Sequence, residues 1–380
     1  MMLPAAQRLD IRLTVLDPHP QCPACAGADR ALAGDFADRE AVLKAAEEIE
    51  PDAVTIEIEH VSIDAMAELT RRGVAVNPGA ETVATINDKL NQRRRLAEAG
   101  LPMPRFIELP EEDALGTAGP QGSGAAPGKL AGALGELGLP AVQKLRFGGY
   151  DGRGVAIIRE AVEQLPLPGL SMLEEHVPIA AELAVLVARR PAGETTVYEP
   201  FEMEMDQELN LVRSVFYPAS PESSVCRRAQ EVAVAAAEAL SVVGICAVEL
   251  FITTDGDVLV NEVAPRPHNS GHITLEAAET DQFEQHLRAI FDLPLGTAAM
   301  RGPAVMRNLV GSGKPGPTRY VGLEAVLAIP GAHPHLYGKK ESRPGRKMGH
   351  VTVSAESLQV ARERASKAAE TLRVEGQSAD

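Results

Sequence analysis

The stretch CAVELFITTDGDVLVNEVAPRPHNSGH, residues 246–272, admits few folds. Its centre, Asp255-Gly256, lies between two β-rich runs. An Asp-Gly pair so flanked is a strong hairpin signal, because both central residues of that turn need φ > 0. A two-residue loop there pairs Thr254 with Asp257 and sets Glu249 directly opposite Glu262. Directly opposed residues share a sheet face, with Cβ atoms roughly 4.5–5.5 Å apart. Two carboxylates so placed repel unless water solvates them or a cation sits between them, and hard oxygen ligands suit Mg²⁺ or Mn²⁺. The hairpin alone leaves both alternatives open.

A chain of 380 residues exceeds one ordinary core and points to two or three domains. A hydrophobic content of 45% is that of a soluble globular protein. No apolar run is long enough to span a bilayer and no signal pattern opens the chain, so a cytoplasmic location is expected. The net charge of −16 argues against nucleic acid and anionic membranes as partners. An anionic substrate would therefore need a local basic pocket. Four cysteines make no disulfide framework at this length and fit a reducing compartment. Cys22 and Cys25, with no second CxxC and no histidine pair at ligand spacing, read as incidental thiols. Cys246 reads as a core residue.

Strand signals at 11–17, 52–58 and 73–78, with a helix at about 38–49, predict a parallel α/β sheet. Asp88 can cap a helix running to Ala99, closed by Gly100 with Pro102 beyond. Residues 110–128 are Gly/Ala/Pro-rich without periodicity and read as an insertion or mobile loop. From 141 strands dominate: 141–146, 154–158, 171–177, 181–190, 196–204 and 211–219. A helix at about 224–240 precedes the hairpin, and another at 276–291 carries Leu287, Ile290 and Phe291 on one stripe. Segments 305–310, 321–329 and 350–354 read as β, and a last helix over about 355–373 has Ser354 available as N-cap. The expected division is 1–87, 88–296 and 297–380.

Residues 141–155, AVQKLRFGGYDGRGV, carry a second signal. A strand bearing Lys144 runs into a glycine-rich turn and on into another strand. Glycines let backbone approach a polyphosphate, and successive N–H groups form an anion-binding nest. The turn joins two strands and lacks a G-K-[ST] ending, so it is no P-loop, and an ordinary glycine-rich hairpin is the alternative. The apolar run ending in Glu174-Glu175-His176-Val177-Pro178, followed by Glu182, suits an adenine slot and ribose acceptor, or a solvated acidic turn.

The order Lys89, Lys144, GGYDGRG, EEHVP with Glu182, Glu249, Asn261-Glu262 resembles the ATP-grasp superfamily. NEVAPRPHNSGH and RPGRKMGH look like signatures of the N5-carboxyaminoimidazole ribonucleotide synthetase family, a resemblance covering about residues 10–355. It implies an α/β chain, α+β in its centre: an ATP-grasp fold with an N-terminal Rossmann-like domain and a small C-terminal β-rich domain, as a homodimer. It implies ATP- and bicarbonate-dependent carboxylation of 5-aminoimidazole ribonucleotide through carboxyphosphate, in purine biosynthesis. Arginine and lysine clamps on the transferred phosphoryl group fit that chemistry.

By this resemblance Lys89 and Lys144 contact ATP phosphates, and the loop Gly149, Tyr150, Asp151, Gly152, Arg153, Gly154, Val155 closes over them. Glu174, Glu175, His176 and Val177 hold adenine, and Glu182 holds ribose. Glu249 and Glu262 carry Mg²⁺ or Mn²⁺ with Asn261 beside them. Many relatives place an asparagine two residues after the second metal glutamate; here Ala264 stands there, so the two glutamates must be completed by phosphate and water. Arg266 is expected as anion clamp and His268 as an orienting or proton-transfer group, with Asn269 and Ser270 as further hydrogen-bonders. Lys340, Arg346 and Lys347 are expected on the ribonucleotide phosphate, with Lys340 also counted as catalytic. Tyr150, Asp151 and Arg153 face the substrate. Glu57 and Glu59 should share a strand face, and Glu59 is the choice for the aminoimidazole.

The family normally opens with a strand and a glycine-rich loop, whereas this sequence begins at what looks like the helix after them. A start assigned too far downstream is preferred over true truncation, because losing an interior parallel strand exposes unpaired backbone. As given, the chain is expected to have a weakened first domain and poor ribonucleotide affinity. Other readings are a formate-dependent glycinamide ribonucleotide transformylase, a biotin carboxylase, or a catalytically silent nucleotide binder.

Overall fold

The computed structural model describes residues 1–109, 127–148, 154–162, 165–206 and 208–377. The N-terminal part comprises α1 (Met2–Arg8), β1 (Thr14–Asp17), β2 (Arg30–Ala33), α2 (Arg39–Ile49), β3 (Ala53–Val54), α3 (Ile63–Arg71), β4 (Ala75–Val76) and α4 (Ala80–Asn87). Asp38 and Ser62 cap α2 and α3 by accepting from Glu40 and Ala65 N–H groups. The strands are parallel, as expected, but much shorter than their apolar runs. They form two separate pairs, β1 with β2 and β3 with β4.

Between the pairs lies a cavity of about 1620 Å³, lined by every residue from Thr14 to Asp17 and from Ala53 to Ile58. Side chains alternate across a strand, so lining by consecutive residues means that backbone edges face the cavity. Edges without a neighbour hold their ladder on one side only, which accounts for the short strands. α1 packs Met2, Ala5 and Ala6 against Phe283, Leu287 and Ile290.

Next come α5 (Lys89–Glu98), β5 (Phe106–Glu108), α6 (Pro127–Leu137), β6 (Ala141–Leu145), β7 (Val155–Ile158) and β8 (Ser171–Glu175). The four strands form an antiparallel sheet ordered β5-β8-β6-β7. α5 behaves as read: Asp88 accepts from Leu90 and Asn91 N–H groups, and Gly100 turns left-handed at φ +70. Most of the 110–128 insertion lies outside the described residues.

The large sheet follows, from β9 (Ile179–Arg189), β10 (Thr195–Val197), β11 (Phe201–Asp206), β12 (Leu211–Tyr217), β13 (Gly244–Thr253) and β14 (Val258–Ala264), with α7 (Ser223–Ala239), α8 (Thr274–Ala277) and α9 (Gln282–Ile290). Its order is β14-β13-β9-β11-β12, continuing into the C-terminal part. Ala229, Val232, Ala233 and Ala236 of α7 pack onto Val185, Val187, Cys246 and Val248, so Cys246 is core.

Two expected elements are interrupted. The 196–204 run splits around Tyr198–Pro200 into β10 and β11, and the 276–291 helix splits into α8 and α9, the second capped by Asp281. The buried Leu287 and Ile290 keep the expected stripe. The C-terminal part is β15 (Ala304–Gly313), β16 (Gly316–Val321), α10 (Leu323–Leu327), β17 (Ala332–Leu336), β18 (Glu341–Ser342), β19 (Lys347–Ser354), α11 (Leu358–Thr371) and β20 (Arg373–Gly376). Residues 323–327 are therefore helical rather than β, after the left-handed turn at Gly322. The last helix is capped by Ser357, not Ser354, which ends β19.

Cys22 and Cys25 are not two free thiols: they form a disulfide, their Cα atoms 5.1 Å apart in a tight turn. No helix among the described residues is long and apolar enough to cross a membrane.

Candidate active site

Glu249 on β13 does face Glu262 on β14, but two irregularities produce the pairing. Thr253 N–H donates to Asp257 O and Gly256 N–H to Thr253 O, so Thr254, Asp255 and Gly256 make a three-residue loop. Of these only Gly256 has positive φ, at +87. That loop shifts the register by one, so that Leu250 faces Val260. A bulge then leaves Asn261 unpaired and returns Glu249 to Glu262. The core contacts follow the bulge: Val258, Val260 and Val263 are buried, while the adjacent Asn261 and Glu262 both lie off the core face. A regular strand would have sent them to opposite faces.

Two lysines converge on these groups. Lys89 Nζ is 2.5 Å from Glu262 Oε2. Lys144 Nζ donates to Asn261 Oδ1 at 3.0 Å and lies 2.7 Å from Glu174 Oε2. The start of α5 is tied to the end of β6, because Asp88 holds Arg146 (2.6 Å to Nη2) and Lys89 N–H donates to Arg146 O. That junction delivers both lysines to one place.

Arg93 completes a buried triad, its Nε 2.6 Å from Glu174 Oε1 and its Nη1 donating to Val260 O. Burial would raise Glu174, but Arg93 and Lys144 outweigh it and hold the carboxyl at about 2. Its partner responds the other way. Burial, helped by Arg93 and Lys89, pulls Lys144 below its ordinary value despite Glu174. For Glu174 two cations outweigh burial, whereas for Lys144 burial and two like charges outweigh Glu174.

The opposed glutamates also diverge. Burial and then Glu262 raise Glu249, whereas Lys89 overcomes burial to hold Glu262 ionised. Burial works against the charge of Lys89, and Glu262 more than compensates. Two directly opposed carboxylates, one raising the other, suit a hard divalent ion between them. Among the described residues no group of three or more His, Cys, Asp or Glu could hold a metal. Two carboxylates completed by substrate oxygens are what Mg²⁺ ordinarily accepts.

Arg266 and His268 flank the pair. Arg266 Nε lies 2.9 Å from Glu59 Oε1, and His268 Nε2 is 3.5 Å from Glu249 Oε1. His268 Nδ1 accepts from Ser270 N–H at 3.3 Å and contacts Ser270 Oγ at 2.8 Å. The neutral ring therefore carries its proton on Nε2, toward Glu249. Burial, then Arg266 and Lys347, push His268 down to about 3.

Several expected placements differ. Glu57 is exposed and Glu59 buried, so they share no face, because β3 ends at Val54. Ser270 is wholly buried with its hydroxyl on His268. Asn269 exchanges two 2.8 Å hydrogen bonds with Asn308. Both Glu174 oxygens are engaged in the triad. Glu175 pairs with Arg105 at 2.7 Å, His176 is exposed, and Val177 is half-buried. Glu182 lies across from Phe251 and Met203, raised by burial. Gly154 is the turn residue before β7, and Val155, which begins the strand, pairs with Lys144. Gly149, Tyr150, Asp151, Gly152 and Arg153 lie outside the described residues.

Lys347 lines the large cavity with Arg266 and Asn269. Lys340 and Arg346 are not on that lining; Lys340 is exposed and donates to Gln21, and Arg346 donates to Glu341 O. The basic run turns through β18, so its charges do not share one face. Sequence reading misses Arg93, Lys339 and the buried glutamines Gln92 and Gln282. Gln92 bonds the β14 backbone at Val263, and Lys339 lies 5.5 Å over the Tyr337 ring at the cavity wall. Only an arginine on the inner side of α5 could have hinted at the triad.

A glutamate pair on the β13–β14 hairpin and two lysines brought to it from α5 and β6 are parts of an ATP-grasp enzyme. Residues 94–283 match the ATP-grasp domain, residues 1–87 the ribonucleotide synthetase preATP-grasp domain, and residues 304–364 the phosphoribosylaminoimidazole carboxylase C-terminal domain. The chain belongs to the N5-carboxyaminoimidazole ribonucleotide synthase family. It is 39% identical over 361 residues to the enzyme of that name from Synechococcus elongatus, covering 93% of this chain and 86% of that one. It is similar to the crystal structure of the Thermotoga maritima synthetase, with a TM-score of 0.87, 38% identity, and coverage of 99% of this chain and 96% of that one. The Aspergillus clavatus synthase in complex with ADP and 5-aminoimidazole ribonucleotide gives a TM-score of 0.84 at 31% identity, covering 98% and 94%.

Proposed function

We propose that this chain joins 5-aminoimidazole ribonucleotide and bicarbonate at the expense of ATP, giving N5-carboxyaminoimidazole ribonucleotide, ADP and phosphate. The observation that carries this reading is the convergence of Glu262, Lys89 and Lys144 on one cleft, with Glu249 directly opposite Glu262, in a chain matched over nearly its whole length to synthases of that name. Bicarbonate oxygen attacks the γ-phosphoryl group, ADP leaves, and the carboxyphosphate so formed is attacked by the substrate amine with loss of phosphate.

Lys89 and Lys144 neutralise phosphate charge, and Arg266, turned from Glu59, clamps the bicarbonate or carboxyphosphate anion. His268, neutral and with its proton on Nε2, donates a hydrogen bond there without adding charge. Glu249 and Glu262 hold Mg²⁺ or Mn²⁺, which when bound offsets the charge of the phosphates. Glu182 takes the ribose of ATP and the 175–177 backbone its adenine, while Glu59 and Lys347 face the ribonucleotide. The same proposal includes a homodimer and a division at 1–87, 88–296 and 297–380.

The test is ATP hydrolysis measured with and without bicarbonate and with and without 5-aminoimidazole ribonucleotide. Hydrolysis that needs bicarbonate and rises with the ribonucleotide is expected. Dependence on formate would replace this reading with a transformylase, and no stimulation would leave a silent nucleotide binder.

A further inference from the structure

Gln282, the first residue of α9, is wholly buried and directs its amide oxygen and both amide hydrogens to one segment. Its Oε1 accepts from His268 N–H at 2.8 Å, and its Nε2 donates to His268 O at 2.8 Å. Those two backbone groups fix which end of the amide is which, because the reverse would set oxygen against oxygen and N–H against N–H. The second Nε2 hydrogen points to His272 Nδ1, 2.9 Å away. His272 Nδ1 is therefore an acceptor, and the neutral ring must carry its hydrogen on Nε2. Burial, reinforced by His350, holds His272 well below its ordinary value, so the ring is neutral at physiological pH.

His272 lines the large cavity on the wall that also holds Tyr337, Lys339 and Lys347. The ring is held in orientation by stacking on His350, centroids 4.9 Å apart, and on Phe283 at 5.8 Å. Tyr337 meets it edge-on at 6.3 Å, and Lys339 Nζ lies 5.5 Å over the Tyr337 ring. His272 Nε2 makes no hydrogen bond to the described residues. A donor on a cavity wall beside two lysines fits an anionic oxygen.

We propose that His272 Nε2–H is a binding group for the phosphate of the ribonucleotide, and that Gln282 is the positioning residue that fixes its tautomer. The phosphate assignment rests on the proposed function; the tautomer does not. A neutral donor held this way adds a directed bond to the diffuse charge of the lysines, and it stays a donor as pH changes.

Nitrogen-15 NMR of the histidine-labelled full chain reads the tautomer without substrate. A pyridine-type Nδ1 and a pyrrole-type Nε2 are expected for His272, and the Nε2–H resonance should move on titration with ribose 5-phosphate. The opposite tautomer, or no response to ribose 5-phosphate, overturns the proposal even if carboxylation is normal. In the enzyme assay His272→Phe keeps the stack but loses the donor, and should raise the KM for 5-aminoimidazole ribonucleotide about tenfold while moving the KM for ATP much less. His272→Gln, which restores an N–H of similar reach, should recover most of that loss. If His272→Phe leaves the ribonucleotide KM unchanged in a chain that carboxylates normally, the phosphate role is wrong. If the wild type shows no ribonucleotide-stimulated hydrolysis, the function is wrong, and the NMR arms still decide the donor.

Discussion

Glu174→Gln isolates the buried triad, because a glutamine has the shape of the protonated acid without its charge. Glu174 lies among Arg93 and Lys144 with its side chain 2% exposed and its carboxyl held at about 2. Against an unfolded value near 4.5, that shift corresponds to about 3 kcal/mol of stability at pH 7, since each pK unit is worth about 1.4 kcal/mol. The sign follows from which state binds the proton. The folded pKa is depressed, so the contribution is complete above about pH 5 and is lost as pH falls through 4.5 toward 2.

The substitution also leaves Arg93 and Lys144 as two buried cations without their anion. Loss of one partner from such a site typically costs about 3–5 kcal/mol, which agrees with the pH linkage. Lys144, already lowered by burial, should then lose its proton and with it the grip on ATP phosphate. Chemical denaturation followed from pH 7 down to pH 3 should show a gap of about 3 kcal/mol between wild type and variant at neutral pH, shrinking by roughly half near pH 3. The KM for ATP should rise alongside. A gap below 1 kcal/mol at neutral pH, or one that does not narrow in acid, would refute this account of the triad.

Glu249→Gln and Glu262→Gln should each cut turnover by roughly a hundredfold or more while circular dichroism and melting stay near wild type; near-normal rates would remove the metal assignment. Gly271→Ala would set a Cβ 2.3 Å from Gln282 Oε1 and 2.8 Å from Leu186 Cδ1, so thermal unfolding should show a loss of about 1–3 kcal/mol. Deleting Asn261 should leave a regular strand that still opposes Glu249 to Glu262, with melting near wild type. ATP affinity in that deletion should fall about tenfold for want of the Lys144 contact, a change of about 1.4 kcal/mol. An unfolded deletion would show that something other than the extra residue sets the bulge.

Elements with their own caps and periodicity are legible in the residues themselves. Asp88, Gly100 and the 224–240 helix are local signals, and each stands where its pattern puts it. The features that the pattern misplaces depend on neighbours. The 52–58 run is apolar enough for a long strand, yet only Ala53–Val54 pair, because its inner edge has no partner among the described residues. The 321–329 run folds as a helix after Gly322, a left-handed residue that a β reading passes over. Ser270 sits inside a motif that resembles substrate-binding segments, but its hydroxyl is spent on His268, which spacing alone does not reveal. Gln282 is invisible in the sequence because a lone glutamine at a helix start carries no pattern; its role exists only through the segment folded against it.

The opposed glutamates show how a correct pairing can follow from an incomplete derivation. Reading Asp255-Gly256 as a two-residue turn gives Glu249 opposite Glu262, and so does the actual three-residue loop, because the bulge at Asn261 offsets its displacement by one. The sequence does hold the missing clue. Val258, Val260 and Val263 are spaced by two and then by three, and a core face that skips a residue requires one extra residue between its last two members. That extra residue has a chemical consequence. With Asn261 and Glu262 both off the core face, one strand offers a carboxamide to Lys144 and a carboxylate to Lys89 in the same cleft. A regular hairpin keeps the acid pair but would bury the asparagine, so the bulge is what joins the carboxylates to both lysines.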